Sequence, residues 1–402
     1  MSLSGTPVSE RTHIGFFGRR NAGKSSLVNA VTGQELAVVS AQKGTTTDPV
    51  HKTMELLPLG PVVITDTPGF DDTGDLGTLR VQKTKQTLTK TDIAVLVVDA
   101  TDGLQPNDLQ LIELFEKKKV AYLVALNKSD LLTAKPALSG HQIYVSATTG
   151  AGLQDFKERL AHMSVAGGVK QPLIGDLIQA NDLVLLVTPI DESAPKGRMI
   201  LPQQMMLRDV LDHHGICLVT QVPELATTLA SLKQPPAIVV TDSQAFGAVA
   251  QIVPETIPLT SFSILMARYK GLLNNAVAGV NAIGTLKTGD KVLIAEGCTH
   301  HRQCGDIGSV KLPALLKKYT GATVDIELAS GSDFPEDLTS YALILQCGGC
   351  MLTSREMIYR MNYAAAQGVP MTNYGISIAY MKGILNRSIA MLPAALAAQT
   401  QV

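Results

Sequence analysis

Two thiols stand three residues apart in Gln346-Cys347-Gly348-Gly349-Cys350-Met351, directly after an apolar run, Tyr341-Ala342-Leu343-Ile344-Leu345, that reads as a buried strand. Cysteines at this spacing offer half of a soft-metal site, because thiolates suit zinc or an iron–sulfur cluster. A second group, Cys298-Thr299-His300, follows another strand-like run, Lys291-Val292-Leu293-Ile294-Ala295. In an open parallel sheet, sites form in the crevice beyond the carboxyl ends of the strands, so Cys298 and Cys347 can converge there. Cys350 stands just ahead of Thr353-Ser354-Arg355-Glu356, where Thr353 and Glu356 have capping-box spacing. A helix beginning there would favour thiolate at Cys350. Cys298, Cys347 and Cys350 are therefore the metal candidates, with His300 as a possible fourth ligand. A Cys₃His zinc site is the competing reading. Structural zinc usually joins two close motifs in a small loop-rich module, whereas these ligands would cap a sheet crevice. No base or nucleophile motif supports catalytic thiol chemistry.

A second chemistry is written near the N-terminus. The strand-like Thr12-His13-Ile14-Gly15-Phe16-Phe17 runs into Gly18-Arg19-Arg20-Asn21-Ala22-Gly23-Lys24-Ser25, and Ser26-Leu27-Val28-Asn29 continues as a helix. This is a phosphate loop in its required context. Backbone N–H groups of Gly18, Asn21, Ala22, Gly23 and Ser26 can surround a phosphate, and the helix dipole favours an anion. Lys24 would reach the β- and γ-phosphates and the Ser25 hydroxyl would ligate Mg²⁺. Asp66-Thr67-Pro68-Gly69 ends a second strand; Asp66 would hold Mg²⁺ through water and the Gly69 N–H would sense the γ-phosphate. Gly44-Thr45-Thr46-Thr47-Asp48 supplies Thr46 as a further Mg²⁺ ligand. Asn127-Lys128-Ser129-Asp130 follows a third strand, and Asp130 can accept both guanine N–H groups, a pattern adenine does not offer. Ser146 and Ala147 complete the base pocket. Four motifs in this order specify GTP and Mg²⁺, with Lys24, Thr46, Asp66 and Gly69 as the catalytic set.

The elements that must position these residues call for several domains, since 402 residues exceed one ordinary core. Hydrophobic content of 45% with 17% charged residues describes a folded globular chain. Strand-like and helix-like segments alternate throughout, which predicts an α/β protein: an N-terminal P-loop GTPase domain followed by two further α/β domains with mainly parallel sheets. The expected boundaries are 1–165 for the GTP-binding domain, 166–262 for a middle domain, and 263–402 for the metal-binding domain. The middle segment shows no phosphate loop, triad or paired carboxylates. Subunit association is its expected role, in a homodimer or higher homo-oligomer. Within it, residues 191–198 form a charged connection, Cys217 lies in an apolar run, and His213-His214 suits a solvent-facing helix end.

Formal net charge is −1, which argues against nucleic acid as the main ligand. No apolar run approaches the ~18 residues of a membrane helix. The first nine residues are small and polar, without a secretion signal. Five cysteines, an odd number, suit metal chemistry in a reducing cytoplasm better than a disulfide framework.

The nucleotide motifs resemble GTPases of the potassium-dependent kind, whose signature includes Gly-Thr-Thr-Arg-Asp; Thr47 stands here in place of the arginine. The resemblance implies that Asn21 helps coordinate K⁺, which supplies charge that other GTPases take from an arginine finger. Phe70, not glutamine, follows Gly69, so slow intrinsic hydrolysis stimulated by K⁺ is expected. Over the whole chain, the GTPase motifs, the α/β middle and the Cys-x-His … Cys-x-x-Cys set resemble the FeFe-hydrogenase maturation GTPase family, HydF. Similar stretches are Gly197-Arg198-Met199-Ile200-Leu201-Pro202-Gln203-Gln204, Cys298-Thr299-His300-His301 and Gly368-Val369-Pro370-Met371-Thr372-Asn373-Tyr374-Gly375. By that resemblance Cys298, Cys347 and Cys350 hold a 4Fe–4S cluster on a scaffold for the di-iron precursor of the hydrogenase site. Radical-SAM hydrogenase maturases would load it and apo-FeFe-hydrogenase would receive the product. Many members carry His-Cys-x-x-Cys, and here Gln346 takes the place of that histidine. The fourth cluster position is then open to His300, Cys304, Glu296, Asp306, solvent or an incoming ligand. An exchangeable site suits a carrier, and Cys304 is its main rival. The competing function is a GTPase of RNA modification or ribosome assembly with structural zinc.

Overall fold

The computed structural model describes residues 6–33, 50–69, 75–138, 140–163, 172–190, 199–297, 306–331 and 333–400. The chain divides into two compact units, Met1–Val169 and Lys170–Val402.

The first unit contains β1 (Thr12–Phe17), α1 (Lys24–Thr32), β2 (Val50–Leu56), β3 (Gly60–Asp66), α2 (Asp75–Lys90), β4 (Ile93–Asp99), α3 (Pro106–Lys117), β5 (Ala121–Asn127), β6 (Gln142–Tyr144) and α4 (Leu153–Ala161). Its sheet runs β2-β3-β1-β4-β5-β6, and only the β2–β3 pair is antiparallel. Helices cover both faces, so the central strands are continuous apolar runs rather than alternating ones. Along β4, Val95 and Val97 enter the core with Ile14 and Phe16, while Ala94, Leu96 and Val98 enter the other with Phe17 and Phe115. The period of two divides one apolar strand between two cores. At α3, Pro106 occupies the first turn and Asp108 caps it through Gln105, which fixes the start of the helix.

The second unit contains β7 (Leu183–Val187), α5 (Leu201–Asp212), β8 (Ile216–Thr220), α6 (Leu225–Ser231), β9 (Ile238–Thr241), α7 (Phe246–Ile252), β10 (Leu259–Ser261), α8 (Phe262–Tyr269) and α9 (Leu273–Gly279). It continues through β11 (Lys291–Glu296), α10 (Leu312–Thr320), β12 (Asp325–Ser330), β13 (Tyr341–Gln346), α11 (Ser354–Ala366), β14 (Met371–Asn373), α12 (Tyr374–Met381), α13 (Leu385–Ile389) and α14 (Pro393–Thr400). Two four-stranded parallel sheets result, β10-β9-β7-β8 and β12-β11-β13-β14. One hydrophobic cluster takes in Leu185, Val187 and Val239 of the first sheet with Leu293, Leu343 and Leu345 of the second. The two sheets therefore share a core inside this unit. Among the described residues, no helix is long and apolar enough to cross a membrane.

Candidate functional site

The phosphate loop forms because β1 ends at Phe17 and the chain must turn sharply into α1. Asn21 takes a left-handed conformation at φ 62°, and Gly23 does so at φ 88° as the residue capping α1. A Cβ at Gly23 would lie 2.3 Å from Asn127 Nδ2, so glycine is required by both torsion and space. Lys24 Nζ donates to the carbonyls of Gly18 at 3.0 Å and Arg19 at 2.8 Å, holding the ammonium over the loop. The Ser25 hydroxyl donates to Asp66 Oδ2 at 2.5 Å, so two side chains 41 residues apart meet as the Mg²⁺ reading requires.

Asp66 is 2% exposed, and its Oδ1 is a buried oxygen without a hydrogen-bond partner among the described residues. Burial pushes its carboxyl above the ordinary range, against the opposing effects of the Ser25 hydrogen bond and the positive charges of Lys24 and Lys52. A hard cation would relieve both features, since Mg²⁺ prefers oxygen donors and favours the ionised carboxylate. The donor set fits that ion. Gly69 follows on an irregular, half-buried segment, while Thr46 and Phe70 lie outside the described residues.

On the base side, Asn127 Nδ2 donates to Ala22 O at 3.0 Å and its Oδ1 accepts from Ala147 N at 3.1 Å. The residue is 2% exposed and joins the phosphate loop to the loop carrying Ser146. Ser146 is buried and accepts from Thr149 N at 3.1 Å. Lys128 is left-handed and pairs with Asp99 at 2.6 Å, and Asp130 is exposed. Burial works to raise the Asp99 carboxyl, but hydrogen bonds from Lys128 and Thr101 outweigh it and hold the group below its usual range. Sequence reasoning missed Asp99 in this role. An aspartate ending an apolar strand, as Asp66 does, was the available signal.

The sulfur site is built by neighbouring parallel strands. Ala295 of β11 is in register with Gln346 of β13, so both chains leave the sheet at the same end. Cys347 Sγ accepts from Gly297 N at 3.0 Å, from Gly349 N at 3.4 Å and from Gln346 Nε2 at 3.4 Å. Three N–H groups around one sulfur suit a thiolate. Gly297 is the last described residue before Cys298. Gly349 takes φ 64°, and a Cβ there would meet Met357 Sδ at 2.6 Å. Cys298, His300 and Cys304 lie outside the described residues. Among the described residues, no group of three His, Cys, Asp or Glu side chains could hold a metal ion.

Two expectations are sharpened at this end of the sheet. The helix does start where expected: Thr353 caps α11, its hydroxyl accepting from Glu356 N at 3.1 Å. It does not make Cys350 acidic. Burial pushes that thiol up, the nearby Cys347 adds to the shift, and the Lys270 ammonium offsets only part. The three N–H contacts from Gly297, Gly349 and Gln346 fall on Cys347 rather than Cys350. Of the other fourth-ligand candidates, Glu296 is buried and accepts from the Tyr374 hydroxyl at 3.3 Å. Asp306 accepts from Ser309 N and Oγ, both at 2.8 Å. The Tyr374 phenol is held far above its ordinary range by burial and then by Cys347, Glu296 and Asp306, which all act on this one ring. Cys217 is half-buried rather than fully buried as expected; it packs against the core of Val184 and Val210, and burial pushes its thiol up to about 11.

With this geometry stand the matches to known proteins. The hydrogen maturase F dimerization domain profile matches residues 173–271 and the hydrogen maturase F tetramerization domain profile matches residues 274–391, together more than half of the chain. The chain belongs to the HydF family. The profile of the 50S ribosome-binding GTPase matches residues 13–128, so this HydF chain carries a P-loop GTPase domain ahead of its two family-specific regions. Similar curated proteins include the tRNA modification GTPase MnmE of Lachnoclostridium phytofermentans, 33% identical over 54% of this chain and 48% of that protein. GTPase Der of Kosmotoga olearia is 28% identical over 49% of each. The chain spans about half the length of these curated relatives. A crystal structure of Era from Aquifex aeolicus superposes with TM-score 0.34 at 18% identity, covering 52% of this chain and 93% of that one. That superposition bears no functional weight.

Proposed function

We propose that this HydF chain is a GTP-hydrolysing, homo-oligomeric scaffold that holds a 4Fe–4S cluster on Cys298, Cys347 and Cys350 and delivers a di-iron precursor to apo-FeFe-hydrogenase. The observation that carries the reading is the Cys347 sulfur. It sits at the carboxyl end of a parallel sheet, ringed by N–H donors, with its nearest donor on the residue that leads into Cys298. Thiolates so surrounded suit an iron–sulfur group, whose charge they share. Such a cluster would supply a soft, exchangeable metal surface; the chain's own part is to orient the sulfurs and shield them. The fourth position is left to exchange, which fits a carrier. Radical-SAM maturases are the proposed source of its cargo.

At the nucleotide site, Ser25 and Asp66 would hold Mg²⁺, which would neutralise charge on the phosphates. Lys24 would stabilise the β- and γ-phosphates, and the α1 N-terminus would favour the anion. Asp130 would read guanine, and Asn127 keeps the phosphate and base loops at a fixed separation. Asn21, exposed on the loop, is the proposed K⁺ ligand. Hydrolysis should be faster in K⁺ than in Na⁺ salts, and equal rates would remove that role.

Anaerobic reconstitution with ferrous iron and sulfide tests the cluster. Broad visible absorption and bound iron are expected, and both should be lost in Cys347→Ser. A colourless protein holding zinc would instead favour a GTPase of RNA modification, the class to which the MnmE relatives belong by name.

A further inference from the structure

Gln346 occupies the position next to Cys347 where the family resemblance expects histidine. It is 1% exposed, and every polar atom of its amide is engaged. Nε2 donates to Ala295 O at 3.0 Å and to Cys347 Sγ at 3.4 Å. Oε1 accepts from Arg360 Nη1 at 3.4 Å. The two ends of the amide are therefore told apart by their partners: a carbonyl and a sulfur require the nitrogen, and a guanidinium requires the oxygen.

Arg360 is itself fixed. It is 2% exposed, its Nη2 donates to Glu356 Oε1 at 2.8 Å and to Gly331 O, and its guanidinium lies 5.0 Å from the Phe334 ring centroid. A buried arginine paired with a glutamate on its own helix, one turn back, cannot swing away without exposing charge to an apolar interior. This ion pair gives the amide one orientation, with an N–H aimed at the sulfur.

We infer that Gln346 is a positioning residue that donates a hydrogen bond to the Cys347 sulfur, locked by Arg360, and thereby raises the reduction potential of the iron–sulfur group held there. The inference rests on the cluster reading above. Hydrogen bonds to ligand sulfurs withdraw electron density and stabilise the reduced, more negative state, so potentials rise with their number. The backbone N–H groups of Gly297 and Gly349 would be present whatever residue stood at 346. The third donor is specific to the side chain. With Oε1 turned to Arg360 and the NH₂ end turned to the sulfur, the amide presents no oxygen ligand toward Cys347.

The test uses the full chain reconstituted with ferrous iron and sulfide, as wild type, Gln346→Glu and Gln346→Leu. Midpoint potentials are read by redox-poised spectroscopy, with iron and sulfide counts and a thermal midpoint for each protein. Gln346→Glu keeps the size of the side chain and its Arg360 partner while losing both N–H donors. Gln346→Leu removes the donors without adding charge. Both should assemble the cluster with a midpoint shifted to more negative potential, and the glutamate should shift it further. Equal potentials in all three proteins would overturn the donor role. Loss of iron from both variants alone would also overturn it, by making Gln346 a ligand or an assembly residue. Failure of the wild type to bind iron would instead defeat the cluster reading itself.

Discussion

Asp66 has one carboxylate oxygen bonded to Ser25 and the other without a hydrogen-bond partner among the described residues, in a buried setting that raises its pKa. The sign of the consequence follows from linkage. A carboxyl whose pKa is higher folded than unfolded binds more protons in the folded state, so stability falls as pH rises from the ordinary aspartate range through the folded pKa. At neutral pH and without Mg²⁺, ionised Asp66 is a destabilising group. Asp66→Asn should therefore raise the metal-free melting temperature near pH 7. It should also slow GTP hydrolysis by on the order of 10²-fold, the scale of several kcal/mol of charge stabilisation at a bound metal. A fall in the metal-free melting temperature would contradict the assignment. Asp130, exposed and free to face a base, should behave differently: Asp130→Ala should weaken GTP binding by roughly 10- to 100-fold, as expected for hydrogen bonds of ~1.5–3 kcal/mol to a charged group. Fluorescent-nucleotide titration reads this directly, and melting should be little changed. For the cluster, Cys304→Ser should leave assembly intact, and loss of all iron in that variant would defeat the open fourth position.

The turn from β1 into α1 and the loop after β13 are both built on left-handed residues packed against a side chain from elsewhere. In the first, Gly23 admits Asn127, which joins two nucleotide loops that are more than a hundred residues apart. Gly23→Ala carries a left-handed penalty of about 1–2 kcal/mol and must also displace the Asn127 amide. Nucleotide affinity and melting temperature should fall together in that variant. Asn127→Ala should produce a similar loss of ~1–3 kcal/mol by leaving Ala147 N and Ala22 O without their partner. If affinity fell while chemical denaturation was unchanged, Asn127 would be a base contact rather than a tie. In the second loop, Gly349 lets the chain close on Met357 and brings its own N–H to the Cys347 sulfur.

Across the molecule, the Ser25–Asp66 pair and the Cys347 and Cys350 sulfurs belong to different compact units with separate hydrophobic clusters. Stripping iron from the reconstituted protein should therefore leave basal GTP hydrolysis within about twofold, because independent units act additively to within ~0.5 kcal/mol. A larger change would demonstrate coupling between the units and would call for a two-state element that links them. Within the second unit, the sheets of the middle and last segments share one core, so denaturation of residues 170–402 should follow one transition.

The nucleotide site was legible in sequence because its residues are adjacent to strand ends and occur as short contiguous motifs. Local chemistry alone specified Lys24, Ser25, Asp66 and Asp130, and the spacing of apolar runs specified the α/β class. The cysteine pair was legible for the same reason, as a loop after an apolar strand. Short strands were not: β10 and β14 have three residues each, too few to show a period, and exist because a sheet edge accepts them. The double role of Asn127, the pairing of Lys128 with Asp99 and the raised pKa of Cys350 all depend on burial and long-range proximity, which no local pattern encodes. Gln346 shows the division most clearly. Its identity said that it was a poor metal ligand. Only the tertiary structure, by placing Arg360 on one side of its amide and a sulfur on the other, decided which way its hydrogen bonds point.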